Sequence, residues 1–214
     1  MRPNKRRKRA ARLDQGMNVN TSRSFVRSAL LATALVAVAT APVMAQLGVQ
    51  GFGQDTFSLR LPAGYRLVAQ TSPGPGMMAF GFASNQRSDG TRSLIQVTLI
   101  DLDKGPGGPP PPLDEIAASM IGGVRQRRAQ WKQAESTITI DGVNAKLIRW
   151  SGTNAPSPER ASGQAASAMH GVMVIGIKGM VAFALHAQDL DAFASATLPA
   201  SEGAIMSFTL KPHD

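Results

Sequence analysis

An α+β fold, one domain with an antiparallel sheet covered by one long and one short helix, is the class this chain predicts. Three observations carry it. Short runs of alternating apolar residues are separated by tight-turn signals such as Asp141-Gly142 and Lys178-Gly179. One segment, starting at Leu113 behind four consecutive prolines, holds a sustained three- and four-residue spacing of apolar residues. Once a leader is set aside, 169 residues without a cysteine remain, enough for one packed core and excluding a disulfide framework.

The leader is read at residues 1–45. Thirteen nearly all-apolar residues, 29–41, follow a stretch rich in Arg and Lys and precede Val43-Met44-Ala45, a small-residue cleavage site. The run falls short of the roughly 20 residues a membrane span requires and ends at Pro42. Cleavage after Ala45 is therefore expected, giving a periplasmic or secreted product that does not span the membrane. Met17 offers a tidier start, with Arg23 and Arg27 as its positive charges. The formal net charge of +9 is concentrated here, because residues 1–45 hold nine of the 23 basic residues and one of the 14 acidic ones. The remainder of the chain is close to neutral. A nucleic-acid surface thus loses its electrostatic support, and no nucleic-acid partner is expected.

Residues 46–54 form a Gly-rich stretch expected to be a flexible tail, ahead of a domain at 55–214. Phe57, Leu59 and Leu61 alternate with Ser58 and Arg60 as in a half-buried strand, and Pro62-Ala63-Gly64 turns the chain into a second strand at 65–69. Residues 71–76 predict a loop, 77–83 a third strand, 84–91 a polar connection and 93–102 a fourth strand rich in β-branched residues. Residues 104–112 (KGPGGPPPP) cannot be helix or central strand, since proline lacks the amide hydrogen.

Beyond the prolines, Leu113, Ile116, Ala117, Met120, Ile121, Val124 and Trp131 predict a helix over 113–131. Asp114 and Glu115 in its first turn and Arg125, Arg127, Arg128 and Lys132 near its end complement the helix dipole. Gly122-Gly123 weakens it by about 1 kcal/mol per glycine, which points to a close contact with the sheet. Residues 136–150 read as a hairpin around Asp141-Gly142, 153–164 as a surface loop, and 165–186 as a second hairpin turning at Lys178-Gly179. Residues 189–196 predict a short helix or turn and 198–206 a further helix beginning near Pro199.

The order of these elements resembles the PsbP-like family, which includes the extrinsic P subunit of photosystem II and related bacterial envelope proteins. The resemblance covers roughly residues 57–210. It rests on an opening strand ending in Leu61-Pro62-Ala63-Gly64-Tyr65, a helix after a variable loop, two consecutive hairpins and a terminal helix ending in Ser207-Phe208. It implies an antiparallel sheet between helices, with binding or assembly roles and no catalysis. No partner-contacting residue carries over.

Chemistry-bearing residues are sparse. No Gly-x-Ser-x-Gly elbow, His-Glu-x-x-His, phosphate loop or dinucleotide fingerprint occurs, so no cofactor is expected. His170 and His186 lie on the two strands of the last hairpin. A two-residue turn at Lys178-Gly179 pairs Gly171 with His186 and leaves His170 on the opposite face, whereas a three-residue loop sets the two histidines across from each other. Met169 and Met173 share a strand face, and thioethers with histidine suit copper(I), although methionine in such patterns ordinarily fills a core. Asp101, Asp103, Asp189 and Asp191 place paired carboxylates at strand ends, too few for a calcium loop.

Arg125, Arg128 and Lys132 on one helical face, with Glu159 and Arg160 in the 153–164 loop, form the candidate binding site for an acidic partner. The reading favoured by these residues is an exported non-enzymatic binding or assembly module of the bacterial envelope, whose partner is another envelope protein. A periplasmic copper-binding protein and a divergent hydrolase are the alternatives.

Overall fold

A computed structural model describes residues 50–104, 109–154 and 166–211. The leader at 1–45 and the candidate contacts Glu159 and Arg160 lie outside the described residues. Among the described residues, ten strands and two α-helices run in the order β1 (Gln50–Gly53), β2 (Phe57–Leu61), β3 (Arg66–Gly74), β4 (Met77–Ala83), β5 (Leu94–Asp101), α1 (Leu113–Arg125), β6 (Arg128–Ile140), β7 (Val143–Asn154), β8 (Ala168–Lys178), β9 (Val181–Leu190), α2 (Asp191–Met206) and β10 (Thr209–Leu210). The class is α+β, as expected.

Seven strands form one antiparallel sheet in the order β3-β4-β5-β9-β8-β7-β6, and β1-β2-β10 form a small second sheet. Strand alternation divides the core in two. Phe80, Phe82, Val97, Leu99, Val174, Phe183 and Leu185 point to one face, where they meet Phe57, Leu59 and Leu61 of β2 together with Ile205 and Phe208 from the end of the chain. Ile148, Trp150, Met173, Ile175, Ala182 and Ala184 point to the other face, which is covered by Ile116, Ala117, Met120, Ile121 and Val124 of α1. Because β8 is covered on both sides, residues 171–176 are buried without alternation.

The two short motifs have structural reasons. Gly64 adopts φ 79°, open to glycine, and lets the Tyr65 amide donate to the Pro62 carbonyl at 3.2 Å. The Tyr65 hydroxyl then meets Ser201 Oγ of α2 at 3.1 Å. At the far end, Ser207 Oγ donates to the Ala204 carbonyl and accepts the Arg60 amide at 2.8 Å, tying the helix end to β2. Phe208 continues into the core beside Phe57 and Phe183.

Four expectations need correction. Residues 50–53 of the expected tail form β1, because Phe52 packs edge-on against Phe82 at 4.8 Å and draws the strand onto β2. The long helix stops at Arg125, and Arg128, Trp131 and Lys132 belong to β6. Trp131 stacks on Trp150 of the adjacent strand at 5.1 Å, a burial that a continued helix would forgo. Residues 71–74, expected as loop, extend β3. The two helical pieces expected near the end form one 16-residue helix, longer than the 13 residues of α1, with Pro199 inside it. Pro199 forfeits one backbone bond. Burial of Ser201, Ala204 and Ile205 in the next turn holds the helix across it.

Candidate functional site

A concavity opens at one end of the molecule, where the seven-stranded sheet and the small sheet part. Its volume is about 730 Å³. Met78, Leu99 and Val181 line it from the large sheet, Leu210 from the small sheet, and Met180 stands at the mouth, 38% exposed. These side chains continue the phenylalanine-rich core outward.

The rim is fixed by backbone bonds. Gly179 takes the first position of the β8–β9 turn with φ 59°, leaving Met180 as the second turn residue, whose carbonyl accepts the Leu102 amide at 2.8 Å. The Asp101 amide donates to the Gly76 carbonyl at 2.7 Å, and the Lys211 amide to the Thr56 carbonyl at 2.9 Å. Asp141, itself at φ 49° in the β6–β7 turn, accepts both the Leu210 amide and Lys178 Nζ at 2.8 Å. Asp101 accepts the Asp103 amide at 3.1 Å.

Two polar groups on the small-sheet wall have no partner among the described residues. Thr56 Oγ1 is buried without a hydrogen bond, and the Lys211 ammonium makes no ion pair. The cavity can therefore hold an apolar group and offer its polar end a hydroxyl and an ammonium. No nucleophile with an adjacent base lines it among the described residues.

A second, smaller groove of about 380 Å³ lies between α2 and strands β7 and β8. Two side-chain contacts bridge it. His170 Nε2 meets Asp191 Oδ1 at 2.6 Å, and Arg149 pairs with Glu202. Ser195 lines the same groove, yet no hydrogen bond joins it to His170 among the described residues, so no hydrolytic constellation is assembled.

The two histidines stand apart. The turn sits one residue later than expected, at Gly179-Met180, so His186 pairs with Met173 and His170 with Asp189. This shifts the pairing by an even number of positions, which preserves the expected placement of the histidines on opposite faces. A shared metal site using both is therefore overturned. Met169 and Met173 do share the His186 face, where Met173 is core and Met169 packs against it. Among the described residues no group of three or more His, Cys, Asp or Glu side chains is placed to hold a metal ion.

His186 accepts a hydrogen bond from Trp150 Nε1 at 3.2 Å. Its pKa is pushed down to about 3, first by loss of water around the ring and then by the nearby Arg128 and Arg127. The imidazole is neutral at physiological pH.

Asp189 is not a solvated strand-end carboxylate. It is buried against Arg87, with contacts of 2.5 and 2.9 Å, Thr197 Oγ1 at 2.6 Å and the Leu190 amide at 2.8 Å. The Arg87 guanidinium in turn lies 4.1 Å from the Phe193 ring centroid.

The basic candidates do not form one helical face. Arg125 ends α1, while Arg128 and Lys132 belong to β6. Arg128 is drawn inward, donating to Gln188 Oε1 at 3.2 Å and lying 5.5 Å from the Trp150 ring. Arg125 and Lys132 remain exposed. Sequence reasoning missed Thr56, Met78 and Lys211. They come from separate segments without a shared motif, and only the closure of the two sheets brings them together.

No protein-family model matches the sequence, and no curated protein matches it. Solved structures do. The solution structure of cyanobacterial PsbP (CyanoP) from Synechocystis sp. PCC 6803 aligns over 81% of this chain and 99% of its own, with a TM-score of 0.53 at 11% identity. LpqN of Mycobacterium tuberculosis, described as involved in cell envelope biogenesis, aligns over 80% and 90% with a TM-score of 0.46 at 16% identity. A Pseudomonas aeruginosa protein of unknown function, PA94, aligns over 78% and 98% with a TM-score of 0.46 at 13% identity. The likeness to CyanoP establishes a PsbP-like fold and extends no further.

Proposed function

We propose that this chain is an exported, non-enzymatic binding module of the bacterial envelope, and that it takes its ligand in the cavity between the two sheets. One observation carries the reading: an apolar cavity of about 730 Å³, within the range typical of small-molecule sites, opens directly from the core and is lined by no catalytic pair among the described residues. The basic, apolar and small-residue order of residues 1–45 supports export. Among the described residues no helix is long and apolar enough to cross a membrane.

Two measurements test this. Intact mass of the protein from its own fractionated envelope is expected to begin at Gln46; a species in the membrane pellet that retains residues 29–41 overturns cleavage after Ala45. Native mass spectrometry of the same material is expected to show a retained ligand mass. That mass should vanish in Met78→Trp, which fills the cavity floor, and persist in Lys132→Glu on the exposed strand. An unliganded mass in every variant, with a positive generic esterase or peptidase screen, would instead favour the hydrolase.

A further inference from the structure

We infer that the cavity binds a single-chain amphiphile with a zwitterionic head group, of the lysophosphatidylethanolamine class, with the chain between the sheets and the head at the rim. This deepens the binding-module reading and rests on it.

The floor argues for a flexible apolar chain. Met78, Leu99, Val181 and Leu210 present an apolar surface continuous with the core. Methionines at positions 78 and 180 are unbranched and adaptable, suited to a chain that has no rigid shape of its own. Met180 at the mouth is an exposed large apolar side chain that such a chain would cover. The volume of about 730 Å³ suits one chain rather than two.

The rim argues for a head with both charges. Its small-sheet wall offers Thr56 Oγ1, buried, and the Lys211 ammonium, both without a partner among the described residues, a donor pair matched to a phosphate. Its large-sheet wall offers the exposed Asp103 carboxylate, where an ammonium is favoured and a second anion repelled. Lys178 adds little free positive charge there, because Asp141 already holds it. A simple fatty acid would engage the small-sheet wall alone. A phosphate with a tethered ammonium engages both.

Isothermal titration calorimetry of the chain from Gln46, below the micellar concentration of each lipid, tests the inference with three lauroyl probes: lysophosphatidylethanolamine, lysophosphatidylglycerol and lauric acid. The ethanolamine lipid is expected to bind at least ~10-fold more tightly than the other two. Replacing lauroyl by myristoyl should tighten binding by about 4-fold per added methylene. Met78→Trp should abolish binding. Lys211→Glu and Asp103→Lys, both at exposed positions and expected to leave thermal unfolding unchanged, should each weaken the ethanolamine lipid by roughly 5-fold.

Equal affinity for the three head groups overturns the inference, as does binding that Lys211→Glu and Asp103→Lys leave unchanged. If no lysolipid binds while the envelope-derived protein still carries a mass that Met78→Trp removes, the amphiphile is wrong and the binding module stands.

Discussion

The two faces of the large sheet are built from the same strands yet held together differently. On the α2 face, Phe57, Phe80, Phe183 and Phe208 interlock with ring centroids 4.9 to 5.8 Å apart, and Gly176 leaves the space that the Phe183 ring occupies. On the α1 face, Trp150 lies over Gly171 in the same way, but Trp131 stacks on it from the partly exposed side and polar groups surround it: His186, Arg128 and Gln188. One face is a dry aromatic core that opens at its end into the cavity. The other depends on polar contacts near its margin and should respond to pH.

Truncating one ring on each face tests that difference. Phe183→Ala removes a fully buried ring flanked by Gly176, where no neighbouring side chain can fill the gap, and should cost about 3–5 kcal/mol. Trp150→Ala should cost less, about 2–3 kcal/mol, because Trp131 is half-exposed and free to settle into the space. Denaturant midpoints measure both. Equal losses would erase the distinction between the faces.

Next in size is Asp189, the buried carboxylate joining β9 to the start of α2 and, through Arg87, to the 84–93 connection. Asp189→Ala leaves the Arg87 guanidinium, only 18% exposed, without its partner and should cost on the order of 3 kcal/mol. Burial raises the Asp189 pKa, but hydrogen bonds from Arg87, Thr197 and the Leu190 amide outweigh it and hold the carboxyl below its ordinary range. The stability from this shift is therefore present above the unfolded carboxylate pKa and lost as pH falls through the lower folded value. In Asp189→Asn, acid unfolding should lose that component; an unchanged acid limb would show that Arg87 and Asp189 do not contribute through their charges.

Turn chemistry made much of the fold legible. Asp141 and Gly142 both adopt positive φ, 49° and 78°, and place the β6–β7 hairpin as a type I′ pattern requires. At Lys178-Gly179 the same cue misled by one residue, because glycine takes the first turn position and passes the second to Met180. The alternation survived, so the faces were readable although the partners were not. The end of α1 was hidden for a different reason: Val124 and Trp131 are seven residues apart, a spacing that fits a helical stripe, and only the Trp150 ring on the paired strand β7 reveals Trp131 as part of β6. The cavity was least legible of all. Thr56, Met78, Leu99, Met180 and Lys211 each look ordinary in place, and the site exists only through the gap between two sheets.

A smaller effect, but a sharper separation of the faces, is expected from His186. Its folded pKa of about 3 lies below the ordinary 6.5, so the unfolded chain takes up a proton first as pH falls. The neutral ring's contribution is complete above pH 6.5 and is lost progressively as pH falls toward 3. At ~1.4 kcal/mol per unit the full shift would reach about 5 kcal/mol, and the ring's partial exposure reduces this to on the order of 2 kcal/mol. His186→Phe keeps an aromatic ring beside Trp150 and removes the proton. Its stability should be flat between about pH 6.5 and 4, where the parent declines. A parallel decline in both proteins would place the titrating group elsewhere.

The smallest effect concerns the ion pair that bridges the α2 groove. Arg149 and Glu202 connect β7 to α2, on the face held by phenylalanine rings. Arg149 is 55% exposed and Glu202 28% exposed, so the pair stays close to water, where Coulomb attraction is weak and two side chains must be ordered to form it. Arg149→Ala should therefore lower stability by less than about 1 kcal/mol, and a double-mutant cycle with Glu202→Ala should give a coupling of about 0.2–1 kcal/mol that shrinks as salt is added. Neither change touches the cavity at the other end of the sheets, so ligand retention should be unaffected. A coupling several times larger and insensitive to salt would mean that charge, as well as ring packing, holds α2 in place, and the contrast between a dry face and a polar face would fail.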